Sequence, residues 1–198
     1  VQVRAARTRE AIIRGAAECI DAQGYRGASL AAICRSSAVS VGALVFHFRD
    51  KSGLAEAVVE AGSATARAVA EAAAREDDSP LHAVGTLLCA ITVLLREDVV
   101  VRAGALLARE RPDIAARWHD AWTPRLTALV AQADTRGELA PGAEPGLVTA
   151  LADHLLTAAE SRRPGQRPDL DPDPDSDPGQ EITRLWALVQ HGIARRST

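Results

Sequence analysis

Residues Ser29 to Lys51 read SLAAICRSSAVSVGALVFHFRDK. Leu30, Ile33 and Cys34 recur at the spacing of one helical face. Ser29 stands before them as an N-cap, a residue whose side-chain oxygen accepts a free N–H of the first turn. Ser36-Ser37-Ala38-Val39 reads as a tight turn, Ser40 as a second cap, and VGALVFHF as a further short helix. Two short helices joined by such a turn, with another helix packed across them, form a helix-turn-helix. The second of the pair is the reading element, because a helix fits the major groove and its first residues reach base edges. Gly42 and Ala43 are small enough for close approach. Ser40, His47 and Lys51 can bond phosphates, and the helix starts at Ser40 and Asp50 present free N–H groups to anions. Ser29, at the start of the supporting helix, joins them as a candidate contact.

Upstream, Ile12, Ile13, Ala16, Ala17 and Ile20 place one apolar face on a helix expected from Arg4 to Gln23, with Gly24 ending it. Arg4 and Arg7, expected on a frayed end, can follow the backbone or the minor groove. Downstream, Asp50 or Ser52 caps a long helix expected to run from Lys51 to Ala74. Through Ser52 the chain carries eight basic side chains against four acidic ones, and the remainder carries 15 against 22. A basic head on an acidic body suits a module that meets a polyanion.

The whole chain has 198 residues, 47% of them hydrophobic and 25% charged, an ordinary composition for a soluble globular protein. Cys19, Cys34 and Cys89 form no CxxC pair, and an odd count cannot close a disulfide set; they read as reduced, buried small hydrophobes. The start, VQVRAARTRE, lacks the apolar core of a signal peptide, and no apolar run approaches the ~20 residues of a membrane span. The expected location is the cytoplasm.

Beyond the long helix, further helices are expected at Pro80–Arg96, Asp98–Arg109, Asp113–Arg136, Glu144–Arg163 and Pro178–Arg196. Leu87, Leu88 and Ile91, then Leu106 and Leu107, then Trp118 and Trp122, give apolar faces on consecutive helices. They are candidate walls of a cavity for a small lipophilic molecule, with Thr92 or Thr127 as polar anchors. The plain alternative is hydrophobic core. Leu147, Leu151 and Leu155, with Ile182, Leu185, Trp186 and Val189, form stripes that a monomer would leave partly bare, so the last two helices are the candidate dimer interface. Arg162–Gln180, rich in Pro and Asp, reads as a mobile loop. A calcium loop starting at Asp171 would need Gly where Ser176 stands.

From Thr8 to Val58 the chain resembles the DNA-binding domain of the TetR family of repressors. That family shows a first helix ending in "GY", a Ser or Thr opening the second helix, and a third helix of the form GALYxHFxxK. Gly42-Ala43-Leu44, Phe46-His47-Phe48 and Lys51 match. Val41 and Val45 depart, because members commonly carry Lys and Tyr there and both usually touch DNA. Valine cannot donate to phosphate or to guanine. The departures imply a different site, weaker binding, or reliance on apolar contacts to thymine methyls. Val100–Glu110 (VVRAGALLARE), Trp118 and Arg184–Gly192 (RLWALVQHG) resemble the γ-butyrolactone receptor branch, which includes pseudo-receptors that respond to antibiotics or butenolides. That resemblance places Trp118 against the lactone. It implies regulation of secondary metabolism.

The expected fold is all-α, with about nine helices. A helix-turn-helix domain is expected over residues 1–50 and a ligand-binding and dimerisation domain over 51–198. The expected function is a repressor that binds a palindromic DNA operator as a homodimer and is released by a small lipophilic inducer. No cofactor, metal or membrane partner is expected. The alternative is a ligand- or protein-binding module with a degenerate head. An enzyme is disfavoured: there is no GxSxG, HExxH, Walker loop or GxGxxG, and the histidines are scattered.

Overall fold

The computed structural model describes residues 2–73, 79–162 and 178–194. Among the described residues ten helices follow one another: α1 (Gln2–Gly27), α2 (Leu30–Ser36), α3 (Val41–His47), α4 (Lys51–Ala73), α5 (Pro80–Glu97), α6 (Val99–Glu110), α7 (Pro112–His119), α8 (Thr123–Thr135), α9 (Pro145–Glu160) and α10 (Pro178–Ile193). Among the described residues β-structure is limited to one isolated antiparallel bridge between Leu139 and Ala194. The proline-rich segment and its aspartates, 163–177, lie outside the described residues.

The chain divides into two compact units, Val1–Thr65 with Glu97–Asp120, and Ala66–Arg96 with Ala121–Thr198. The first holds α1–α3, the start of α4, α6 and α7. Its core gathers Ile12, Ile13, Ala16, Ile20, Ile33, Leu44, Phe48, Leu54, Val58, Val101, Leu107, Ile114 and Trp118. α6 packs chiefly on α1 and α7. The second unit buries Leu81, Val84, Leu87, Leu88 and Ile91 of α5 together with Trp122, Leu126, Leu129, Val148, Leu156 and Trp186. Here α8 packs on α9.

Local chemistry sets the element boundaries. Gly24 lies inside α1 at φ 72 and ψ 171, a conformation open to glycine, so the helix kinks where the sequence places its stop. Asp98 caps α6 by accepting from the N–H groups of Val100 (2.7 Å) and Val101. The single helix expected from Asp113 to Arg136 is two. α7 closes at Asp120, whose N–H bonds the Ala116 carbonyl, and α8 restarts at Thr123 with proline in its first turn. Pro124 has no N–H to continue the ladder and disfavours helical backbone just before it, so the break belongs there.

Candidate nucleic-acid interface and ligand face

α2 and α3 cross at 104°, within the range of helix-turn-helix pairs. Both caps form as the sequence predicts: Ser29 Oγ accepts from the Ala32 N–H at 3.1 Å, and Ser40 Oγ from the Ala43 N–H at 3.2 Å. Asp50, not Ser52, caps α4, accepting from the Gly53 N–H at 2.8 Å. The turn closes through the Val39 N–H on the Cys34 carbonyl (3.1 Å), with Ala38 at φ 53. It presses on α1 at Gly15, where an added Cβ would stand 2.8 Å from the Ser37 nitrogen. Without a side chain there, α1 lets the turn settle against it.

α3 turns Leu44 inward, Phe48 following just beyond its end, and both are buried beside Ile33. Its opposite stripe faces solvent: Val41 is 59% exposed, Val45 54% and Phe46 81%. Gly42 lies exposed in the same stripe, while Ala43 and His47 are half-buried at its edge. The His47 ring meets Phe46 edge-on at 5.2 Å. Phe46 was named from sequence as part of the motif but not as a candidate contact; its position one step past Val45, opposite Leu44 and Phe48, is the signal that could have found it.

The head also exposes basic side chains. Arg4, Arg7, Arg26, Arg35 and Arg49 are exposed. Arg4 and Arg7 sit on the first turns of α1, helical where a frayed end was expected. Three of the four acidic groups of the head are engaged within the fold, and Glu10 is exposed. Glu18 pairs with Arg14 at 3.6 Å and accepts from Ser36, Asp21 pairs with Arg102 at 3.1 Å, and Asp50 holds its cap. Lys51 is held at the head by a 3.3 Å bond to the Arg26 carbonyl, with its ammonium 4.6 Å from the centre of the Tyr25 ring. Burial, with help from nearby Glu18, pushes the Cys19 thiol up from its usual value, so it stays protonated at neutral pH.

A junction that sequence did not reveal ties this head to the end of α6. Glu110 accepts from the Tyr25 N–H at 2.7 Å, and an added Cβ on Gly24 would meet the same carboxylate at 2.8 Å. Arg111 stands 4.9 Å over the Tyr25 ring, donates to Ser52 Oγ at 3.2 Å and pairs with Asp113 at 2.6 Å. The hydrogen bonds to Asp113 raise the Arg111 pKa and hold the Asp113 carboxyl below its ordinary value. Tyr25 and Glu110 stand 85 residues apart, which no local pattern can connect.

All six candidate ligand residues are buried: Leu87, Leu88, Ile91, Leu107 and Trp118 at 0%, Trp122 at 1%. Leu107 and Trp118 belong to the first unit, and the α5 leucines, Ile91 and Trp122 to the second. The Trp118 ring lies against α6 at Gly104, where a Cβ would sit 3.3 Å from the indole. Gly104 in turn faces Gly62 of α4, its added Cβ 3.9 Å from the Gly62 Cα. Trp118, α6 and α4 therefore form one packed stack. Next to Gly62, Ser63 is fully buried, and its hydroxyl has no hydrogen-bond partner among the described residues. Of the two expected polar anchors, Thr92 is buried and spends its hydroxyl on the Leu88 carbonyl at 2.8 Å, and Thr127 is exposed. Thr92 lines a cleft of the second unit with Leu155, Ile182 and Leu185, rimmed by the Arg162–Glu181 ion pair. Its ≈ 30 Å³ suits a water or two, not a lipophilic inducer.

On the candidate dimer elements, Leu147 (66%), Leu151 (40%), Leu185 (37%) and Leu188 (73%) are exposed. Leu155 and Val189 are half-buried. Trp186 is different. It is 2% exposed in the single chain, donates through Nε1 to the Leu81 carbonyl at 3.3 Å, and fills the space above Gly85. It belongs to the core of its own unit.

Residues 12–58 match the family described as bacterial regulatory proteins, tetR family. The chain is 30% identical over 159 residues to the HTH-type transcriptional regulator UidR of Escherichia coli (strain K12), covering 76% of this chain and 79% of that one. It is 29% identical over 146 residues to the A-factor receptor protein of Streptomyces griseus, 73% of this chain and 50% of the relative, so it spans about half of that protein's length. A crystal structure of a gamma-butyrolactone receptor (ArpA like protein) superposes with a TM-score of 0.79 at 25% identity, covering 96% of this chain and 90% of that one.

Proposed function

The chain belongs to the tetR family of bacterial regulatory proteins, and from that premise we propose that it is a ligand-responsive transcriptional repressor of the γ-butyrolactone receptor type. The observation that carries the reading is the head. Two capped short helices crossing at 104° hold a solvent-facing stripe on α3, on a head with eight basic side chains against four acidic ones, of which Glu18, Asp21 and Asp50 are engaged in pairs or a cap. That arrangement suits a helix entering a major groove flanked by phosphates.

The protein acts as a homodimer in this reading, through the exposed leucines of α9 and α10, and binds a palindromic operator in the cytoplasm. The inducer is a small lipophilic molecule of butyrolactone, butenolide or antibiotic-like kind, and the regulated process is secondary metabolism. Trp118 and Leu107 wall its site, with Ser63 as a polar group available to it. Trp118 rests on α6, and the end of α6 grips the last turn of α1 through Glu110 and Arg111. A ligand that prefers one placement of α6 therefore biases the placement of the reading helix, by as much as its affinities for the two states differ.

Anisotropy of labelled DNA from the promoter beside the protein's own gene, read at two salt concentrations with and without a synthetic γ-butyrolactone, tests this. The expected result is binding that weakens steeply with salt and is abolished by the lactone. DNA binding indifferent to lactones, butenolides and culture extract would remove the inducer assignment. The absence at Val41 and Val45 of the hydrogen-bond donors that family members commonly carry there favours a second reading, a ligand- or protein-binding module with a degenerate head. It predicts no salt-dependent binding to that promoter.

A further inference from the structure

We propose that the outward stripe of α3 reads the C5-methyl groups of pyrimidines, thymine first, with Val41, Val45 and Phe46 as the specificity-determining side chains. The inference rests on the DNA-binding reading above and names what that surface recognises.

Positions 41, 42, 45 and 46 share one face of the helix. Three large apolar side chains stand there side by side, each more than half exposed. Such a patch on a short helix calls for an apolar occupant. Its surroundings say which one. Exposed Arg26, Arg35 and Arg49 on the same head, with Arg4 and Arg7 at the start of α1, complement a phosphate backbone. The occupant is therefore an apolar feature embedded in a polyanion.

Major-groove edges offer one such feature. Guanine presents two acceptors, adenine an acceptor and a donor, cytosine a donor; thymine alone adds a methyl group. Guanine is read chiefly by Arg or Lys, and adenine by Asn or Gln. The helix VGALVFH contains none of these. Its one polar side chain, His47, is half-buried at the edge of the stripe against Phe46. Gly42, lacking a side chain between Val41 and Val45, lets the stripe approach the base edges, and Phe46 is long enough to reach a neighbouring step. Discrimination by this face then comes from burying methyl groups. 5-Methylcytosine presents the same methyl and is the other source of that chemistry.

The test starts from a randomised DNA duplex pool enriched on the full-length chain at low salt. The best duplex is remade with deoxyuridine replacing each thymidine in turn, which deletes only the methyl. At the positions facing α3, binding should weaken about three- to fivefold per methyl, with the salt slope unchanged because phosphate contacts persist. A cytosine placed at such a position should weaken binding, and 5-methylcytosine should recover part of the loss. Val41→Ala, Val45→Ala and Phe46→Ala alter solvent-facing positions and leave the fold intact. Each should erase the uracil penalty at its own position. Equal affinity for the thymine and uracil duplexes throughout would overturn the inference while leaving DNA binding in place. Failure to enrich any duplex would overturn the DNA-binding reading and this inference together.

Discussion

Ala38 sits in the left-handed region, at φ 53, in the turn between α2 and α3. A Cβ there crowds the following carbonyl, at a cost of about 1 kcal/mol that glycine does not carry. The strain is tolerated because the turn is fastened on both sides, by the Val39 N–H on the Cys34 carbonyl and by the fit of Ser37 against Gly15. Ala38→Gly should therefore stabilise the protein by about 1 kcal/mol, seen as a rise in thermal midpoint. Promoter affinity should be unchanged, since the turn keeps its conformation. A fall in the midpoint would mean that Ala38 makes a contribution its geometry does not reveal. The same residue-scale logic separates the two serine caps from base readout. Ser29 and Ser40 spend their oxygens on their own helices, so their first contribution is to the shape of the reading unit.

At the scale of elements, the junction of α6 and α7 grips the last turn of α1, just past its kink at Gly24. Glu110 takes the Tyr25 N–H, and Arg111 joins Tyr25, Ser52 and Asp113. Glu110→Gln keeps an acceptor oxygen in reach and should be mild. Arg111→Ala removes the ring contact, the bond to Ser52 and the partner of Asp113, and should lower stability in urea by about 1 kcal/mol. If this junction carries the signal, Arg111→Ala should also retain promoter binding while weakening the effect of the inducer. An unaltered lactone response would show that the signal passes elsewhere. The pH dependence has a definite sign. The Asp113 carboxyl is held below its ordinary value of 3.8 chiefly by its hydrogen bond from Arg111. Its stabilisation is complete above that value and is lost as pH falls through the lowered one. Asp113 is exposed, so the effect is small, and the junction should be insensitive to pH through the neutral range.

For the whole molecule, the exposed leucines of α9 and α10 are the proposed assembly surface. Leu147, Leu151 and Leu188 leave apolar surface in water, whereas Trp186 of α10 is already spent inside its own unit. Leu151→Glu with Leu188→Glu should give a folded monomer in sedimentation velocity and weaken promoter binding at least tenfold, because a palindrome is read by two heads held by a two-fold axis. Dimers persisting in that variant would place the interface elsewhere.

Patterns short enough to be read along the chain were legible without coordinates. Helical periodicity, the serine and aspartate caps, the Gly24 kink and the helix-turn-helix depend on neighbours within a turn or two, so residue type and spacing suffice. The proline that divides α7 from α8 was also visible, but the apolar spacing running across it suggested one helix. Burial was legible only as a period. The sequence marked Trp118 and Trp186 alike as residues on apolar faces. Only the tertiary structure assigned one to a glycine-lined stack on α6 and the other to the core around Leu81. The Tyr25 junction lay beyond it for the same reason, as did the place of Phe46 beside Val41 and Val45 on the outward stripe of α3. Which side of a short helix meets the core, and which residue far along the chain arrives to pack on it, is decided by three-dimensional packing of all the elements together.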